Sequence, residues 1–217
     1  MRDNTLQVCF LLDCTASMGT WIDAARNKIL DLLEDLCEKH QNFKIYVAFG
    51  GYRDFGDEYY YIDFTDDHRK IHTTLMSIDA IGGDDIPEDV GGAYNWAASL
   101  NWKADVRAVF HIGDAPNHGE LYHDTFIEDA FPEGHPLVNL REEVLKLAEK
   151  NVDLTVFRLN RTTDIMFGLM KKEYEKVNRD KFRIVNFMTS EEDARTSFYS
   201  QVSSQLSYSM STHDPTN

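Results

Sequence analysis

The chain of 217 residues is short of cysteine, proline and positive charge, and each shortage excludes something. Its three cysteines, Cys9, Cys14 and Cys37, are odd in number and in no metal-ligand spacing, which argues against a disulfide framework and a thiolate zinc site. Cys9 falls in an apolar strand and Cys37 in a helix, where buried free thiols are expected. Lys and Arg number 22 against 37 Asp and Glu, a net charge of -15. With no basic cluster to neutralise phosphates, a nucleic-acid partner is excluded, and an anionic membrane surface is a poor match. No apolar run is long enough to span a bilayer, and residues 1–7 are polar, so the reading is an intracellular, cytoplasmic chain without a secretory leader. Asn160-Arg161-Thr162 then reads as a chance match to a glycosylation acceptor. Five prolines, no repeats and no low-complexity tract leave one domain over residues 1–210, a frayed tail at 211–217, and a monomer as the default expectation.

What is present is an apolar core, 42% of residues being hydrophobic, organised around one stretch near the start. Val8-Cys9-Phe10-Leu11-Leu12 ends abruptly in Asp13, followed by Thr15 and Ser17 at alternate positions. Next come Ile22, Ala25, Ile29, Leu32 and Leu36, whose spacings of three and four put them on one helix face. The reading is strand, tight loop, helix. Further strands are predicted over residues 43–50, 59–64, 106–112, 152–159 and 182–185, with helices over 68–77, 88–100, 137–150, 164–177 and 191–210. Pro87 suits the first turn of the helix over 88–100, and residues 120–136 read as a long loop. Too few residues separate the second and third strands for a parallel crossover, so that pair is expected to be an antiparallel hairpin at the sheet edge. The fold class is therefore α/β, a Rossmann-like, doubly wound, mostly parallel sheet with one antiparallel edge strand and helices on both faces.

Ligands of such sheets bind outside the carboxyl ends of the strands. Asp13, Thr15 and Ser17 can converge there as hard oxygen donors, which suit Mg²⁺ or Mn²⁺. A helix N-terminus repels a cation, so further carboxylates must arrive from elsewhere. Two loops offer them: Asp84-Asp85 after the Gly82-Gly83 turn, and Asp114 at the end of the strand over 106–112.

This arrangement resembles the metal-ion-dependent adhesion site of the von Willebrand factor A domain, whose pattern is Asp-x-Ser/Thr-x-Ser, then Thr or Asp, then Asp. Asp13, Thr15 and Ser17 match the first loop and Asp114 the third. In the second, Asp85 matches by its distance from Pro87-Glu88, and an Asp in place of Thr adds negative charge around the ion. Phe49-Gly50-Gly51-Tyr52-Arg53-Asp54-Phe55, Pro87-Glu88-Asp89-Val90 and Asp114-Ala115-Pro116-x-His118-Gly119 are similar to the A domains attached to protist α-kinases. No length is left for a kinase domain. The resemblance implies a divalent-cation-dependent protein-interaction module, not an enzyme. Mg²⁺ or Mn²⁺ is held by Asp13, Thr15, Ser17, Asp85 and Asp114, the hydroxyls binding directly and the carboxylates directly or through water. The open position takes an acidic residue of a protein partner. In integrin-type A domains the closing helix shifts on ligand binding; here that helix is residues 191–210.

An enzyme alternative is a phosphohydrolase of haloacid-dehalogenase type with Asp13 as nucleophile. Thr15 stands where its general acid would be required, and no lysine follows a strand to restrain a phosphoryl group. The remaining polar groups have local readings. Arg53 and Asp54 read as a salt bridge holding their loop, with contact to a ligand at the sheet top as the alternative; His118, His123 and Asp124 offer a second metal site or an acid-base pair, but fit no zinc spacing and read as loop packing. Asp84 faces solvent, and a helix N-cap is the plain alternative for Asp13.

Overall fold

In the computed structural model, which describes residues 4–187 and 191–211, the apolar run near the start is the middle of a sheet. Strand β1 (Asn4–Asp13) lies between β2 (Phe43–Tyr52) and β4 (Val106–Gly113), parallel to both. The hairpin partner β3 (Tyr60–Thr65) pairs antiparallel with β2, while β5 (Asp153–Arg158) and β6 (Phe182–Asn186) extend the parallel part on the other side. The order β3-β2-β1-β4-β5-β6 reverses between β1 and β4, the switch point at which open α/β sheets bind ligands.

Side chains alternate across a strand, and both faces of β1 are buried, which is why its sequence reads as an unbroken apolar run. Leu6, Val8, Phe10 and Leu12 join one core cluster, with Ile22, Ile29, Leu32 and Leu36 of α1 (Gly19–Lys39), Ile71 and Leu75 of α2 (His68–Ser77), and Phe198, Val202 and Leu206 of α6 (Glu191–Ser211). Cys9 and Leu11 join the opposite cluster, with Val90, Ala93 and Ala97 of α3 (Val90–Ser99), Val144 and Leu147 of α4 (Leu140–Glu149), and Phe167 and Met170 of α5 (Asp164–Tyr174).

Several expected boundaries move. Helix α3 begins at Val90, not at residue 88, because Asp89 caps it, accepting from the Gly92 N–H at 2.8 Å. The backbone of Glu88 is spent elsewhere, its N–H donating to the Pro116 carbonyl at 2.9 Å and its carbonyl accepting from His118 N–H at 3.3 Å. Pro87 thus lies outside the helix, in the segment that bridges to the loop after β4. Asn139 caps α4 by accepting from Arg141 N–H, delaying its start from residue 137 to Leu140. Helix α5 stops at Tyr174, short of the expected residue 177. Cys37 is exposed, contrary to the expectation of burial, since it faces away from the α1 stripe. Residues 212–217, the bulk of the expected tail, lie outside the described residues. Among the described residues no helix is long and apolar enough to cross a membrane.

Close packing across the central strands gives a direct test. A Cβ added to Gly50 in β2 would lie 2.7 Å from a Trp96 ring carbon and 2.9 Å from Leu11 Cδ2. Overpacking of this kind costs about 1–3 kcal/mol, so Gly50→Ala is expected to lower Tm by several degrees, at about 2–4 °C per kcal/mol for a chain of this size. An unchanged Tm in thermal denaturation would contradict the packing described.

Candidate metal centre

At the end of β1 the chain has to turn sharply into α1, and the turn is pinned from several sides. Cys14 N–H donates to the Tyr52 carbonyl at 2.8 Å, and Arg53, buried, donates from Nε to the Cys14 carbonyl at 3.1 Å and from its guanidinium to the Asp79 carbonyl at 2.7 Å. Arg53 therefore staples two loops through backbone carbonyls and does not form the expected salt bridge with Asp54. A 3₁₀ turn, Ala16–Met18, completes the approach to the helix. Two glycines with positive φ, 84° at Gly82 and 80° at Gly83, bring the second loop against it. At Gly83 the positive φ favours glycine, and a Cβ there would push Glu88 Oε1, 2.6 Å away. Gly113, the last residue of β4, is glycine for space, since a Cβ would meet Tyr52 Oη at 2.5 Å and Asp13 Cβ at 3.2 Å.

Four of the five expected ligands come together. Asp13, with none of its surface exposed, accepts through Oδ1 from Thr15 N–H at 2.9 Å and from the Thr15 hydroxyl at 2.6 Å. Thr15 and Ser17 hydroxyls stand 3.5 Å apart, and Ser17 donates to Asp114 Oδ1 at 3.0 Å. Asp13 is thus no helix cap; Thr15 and Met18 occupy the capping positions. Asp85 lines the same cleft, but its Oδ2 accepts from Ala130 N–H at 2.6 Å, and its carboxylate lies within 4.8 Å of Asp54 and His118. It is drawn toward a different neighbourhood from the other four.

The cleft, about 300 Å³, is also lined by Glu88, Asn160 and Thr162, which the sequence reading passed over. Asn160 and Thr162 follow β5, so the rule that drew attention to Asp13 and Asp114, polar residues just past the carboxyl end of a parallel strand, would have found them. Thr162 hydroxyl donates to the Asp114 carbonyl at 2.7 Å, fixing the third loop. Ion-binding chemistry fits this lining. Its donors are oxygens, no basic side chain contributes to it, and Asp13 Oδ2 is buried with no hydrogen-bond partner among the described residues. A larger cleft of about 700 Å³, lined by Thr5, Gln7, Phe64 and Trp96, lies toward the opposite ends of the strands.

Crowded carboxyls without a countercharge hold on to protons. Burial, with Asp114 beside it, pushes Asp13 up to about 7. Burial and then Asp13, Asp54, Asp85 and Asp57 push Glu88 up to about 10, and burial raises Asp114 as well.

A three-layer α/β binding domain with an oxygen-lined cleft at its switch point is the class these features define. The chain belongs to the von Willebrand factor A domain family, whose description residues 7–132 match. The α-protein kinase vwkA of Dictyostelium discoideum is 30% identical over 192 residues, which are 86% of this chain and 30% of that protein. The chain therefore spans less than a third of that relative's length. Solved structures share the fold at low identity. The pilus adhesin SpaC of Lactobacillus rhamnosus GG, in an open conformation, has a TM-score of 0.62 at 12% identity, covering 94% of this chain and 30% of that one. The vWF domain of the type V pili tip protein Mfa5 from Porphyromonas gingivalis has a TM-score of 0.60 at 11% identity, covering 96% and 97%.

The raised carboxyls dictate a pH response. A group protonated in the fold and ionised when unfolded makes the native state the better proton binder, so stability falls as pH rises from the unfolded value through the folded one. His111, buried and held down to about 3, acts in the opposite sense, but only below its ordinary value of 6.5. Between about pH 6.5 and 8, chelator-treated protein is expected to lose Tm steadily, and millimolar Mg²⁺ to flatten the fall. A Tm that rises over that window in chelator would contradict the site's electrostatics.

Proposed function

We propose that this domain is a divalent-cation-dependent protein-interaction module. Its metal, Mg²⁺ or Mn²⁺, is held by Asp13, Thr15, Ser17 and Asp114, with Asp85 contributing charge from the cleft wall. The observation that carries the reading is the buried, unpartnered Oδ2 of Asp13, whose other oxygen is bonded to Thr15 at the wall of a cleft lined by oxygen donors. The Thr15 hydroxyl donates a hydrogen bond to Asp13 and the Ser17 hydroxyl one to Asp114, which leaves the oxygen lone pairs of both free to face an ion. Thr162 and Arg53 keep the loops from relaxing, so the donor set is preorganised.

Such an ion supplies a Lewis-acidic point to which an acidic side chain of a partner can bind. Without it, a chain of net charge -15 repels an acidic partner and exposes only carboxylates and hydroxyls at the cleft. If Mg²⁺ were held by Asp13, Thr15, Ser17 and Asp114, its charge would offset these carboxylates and attract a partner carboxylate. Kinship with vwkA supports a role as the interaction part of a larger kinase-related assembly, with no chemistry of its own at Asp13.

Capture assays test the reading. A partner retained in millimolar Mg²⁺ is expected to elute on chelation, and Asp114→Ala to weaken capture by at least about tenfold at unchanged circular dichroism, the scale of losing one metal ligand or its supporting partner. Cation-dependent capture of equal strength by the variant would overturn the assignment, as would Mg²⁺-dependent release of phosphate from a generic ester.

A further inference from the structure

Beside the first cleft, the second loop, the β2–β3 connection and the loop after β4 meet around one imidazole. His118 is fully buried, with Nδ1 2.7 Å from Asp129 Oδ1 and Nε2 2.6 Å from Asp54 Oδ1. Asp129 is saturated and firmly anionic. It accepts from Gly119 N–H at 2.7 Å and Phe131 N–H at 2.8 Å, is hydrogen-bonded to His123, and is held at about 2 by these bonds. Nδ1 and Nε2 therefore each face a carboxylate at hydrogen-bond distance, a contact on the Nε2 side that calls for a positive species, a second proton or a bound cation.

Three more observations bear on what that is. Asp85 offers a carboxylate oxygen within 4.8 Å of both Asp54 and His118, and its Oδ1 is buried without a partner among the described residues. Glu88, 2% exposed, likewise has a buried Oε2 with no partner, and it sits among Asp54, Asp57, Asp85 and Asp13. An apolar wall also shuts the imidazole from water. Phe55 stacks on it at 4.8 Å and Phe131 meets it edge-on at 5.0 Å. A carboxylate orienting a histidine through Nδ1 while Nε2 faces further carboxylates, inside an apolar shell, is how proteins build transition-metal sites.

We propose that Asp54, Asp85 and His118 form a second cation site for a borderline divalent ion that accepts imidazole, Zn²⁺ above all, and that Asp129 is its positioning residue. One nitrogen and two carboxylate oxygens, with a fourth position left for water, suit Zn²⁺ and not Mg²⁺, which avoids imidazole. Bonds of about 2.0–2.2 Å hold two ligand atoms roughly 3 Å or more apart, so Asp54 and His118 separate by about half an ångström on binding, within the reach of side-chain rotation. The site stands without the first one and shares with it the wall at Asp85, which lines the first cleft and also reaches within 4.8 Å of Asp54 and His118.

Equilibrium dialysis against Zn²⁺ with millimolar Mg²⁺ present, followed by metal analysis, tests this on the whole chain. Wild type and Asp114→Ala are expected to retain one Zn²⁺ each, while His118→Ala and Asp54→Asn lose affinity by at least tenfold. Co²⁺ loaded in place of Zn²⁺ is expected to give visible absorption bands that disappear with His118. Asp54→Asn keeps the size of the side chain and an oxygen acceptor for Phe55 N–H, so it reports ligand loss without breaking the loop. Retention of Zn²⁺ by a folded Asp54→Asn at wild-type affinity would overturn the proposal. So would loss of Zn²⁺ from Asp114→Ala, which would place the ion in the first cleft, or the absence of any saturable site in wild type.

Discussion

Like charge gathered at one end of a parallel sheet is the constraint on which this structure turns. Asp13 and Asp114 meet across the switch point between β1 and β4, and Glu88 and Asp85 close in from the second loop. The walls are low in dielectric, and no lysine or arginine answers the charge from within the cleft. Buried carboxylates in that position must be neutralised by protons or by a cation. Protonation is the chain's own answer, seen in the raised Asp13 and Glu88. A divalent ion, as proposed, would answer the same charge and give the domain something to bind with.

The rest of the fold holds that arrangement in place. β1 and its neighbours bury both faces, so the strand ends cannot slide, and Phe10, Phe110 and Phe157 pack in adjacent layers across three strands. Glycines stand where loops must pass within contact distance, at 83 and 113. Arg53 is spent on carbonyls of two loops, not on a carboxylate, which keeps its positive charge from quenching the site. A buried arginine that chose Asp13 would have stabilised the apo protein and removed the reason to bind an ion. Proteins give up stability at functional sites in this way.

Much of this was legible in the residues. The period-3.6 stripe of α1 and the unbroken apolar strands followed from burial alone, and the short connection forced the β2–β3 hairpin to be antiparallel. Asp13, Thr15, Ser17 and Asp114 could be placed because one chain rule, oxygen donors just past a parallel strand, covers them all. What escaped depended on contacts between segments far apart in sequence. Pro87-Glu88 carries a helix-start signature, yet its backbone pairs with Pro116 and His118, and that competition is invisible locally. Arg53 and Asp54 are adjacent and oppositely charged, but each found a better partner, Asp54 with a histidine 64 positions on. His118 and Asp129 show no ligand spacing because their partners come from three loops. Asn160 and Thr162 were hidden behind a glycosylation-like tripeptide.

The account rests on Asp13 and Asp114 holding a cation, and thermal unfolding with and without millimolar Mg²⁺, in wild type and Asp114→Ala, tests it most directly. A site filled at 100 times its Kd adds about 2.7 kcal/mol, several degrees in Tm for a chain of this length. The expected result is a shift of that size in wild type and its loss in the variant, whose apo form is itself steadied by removal of one carboxylate. Equal shifts in both proteins would mean that Mg²⁺ merely screens the acidic surface, and no shift in wild type would mean that the cleft holds no ion; either would contradict the account.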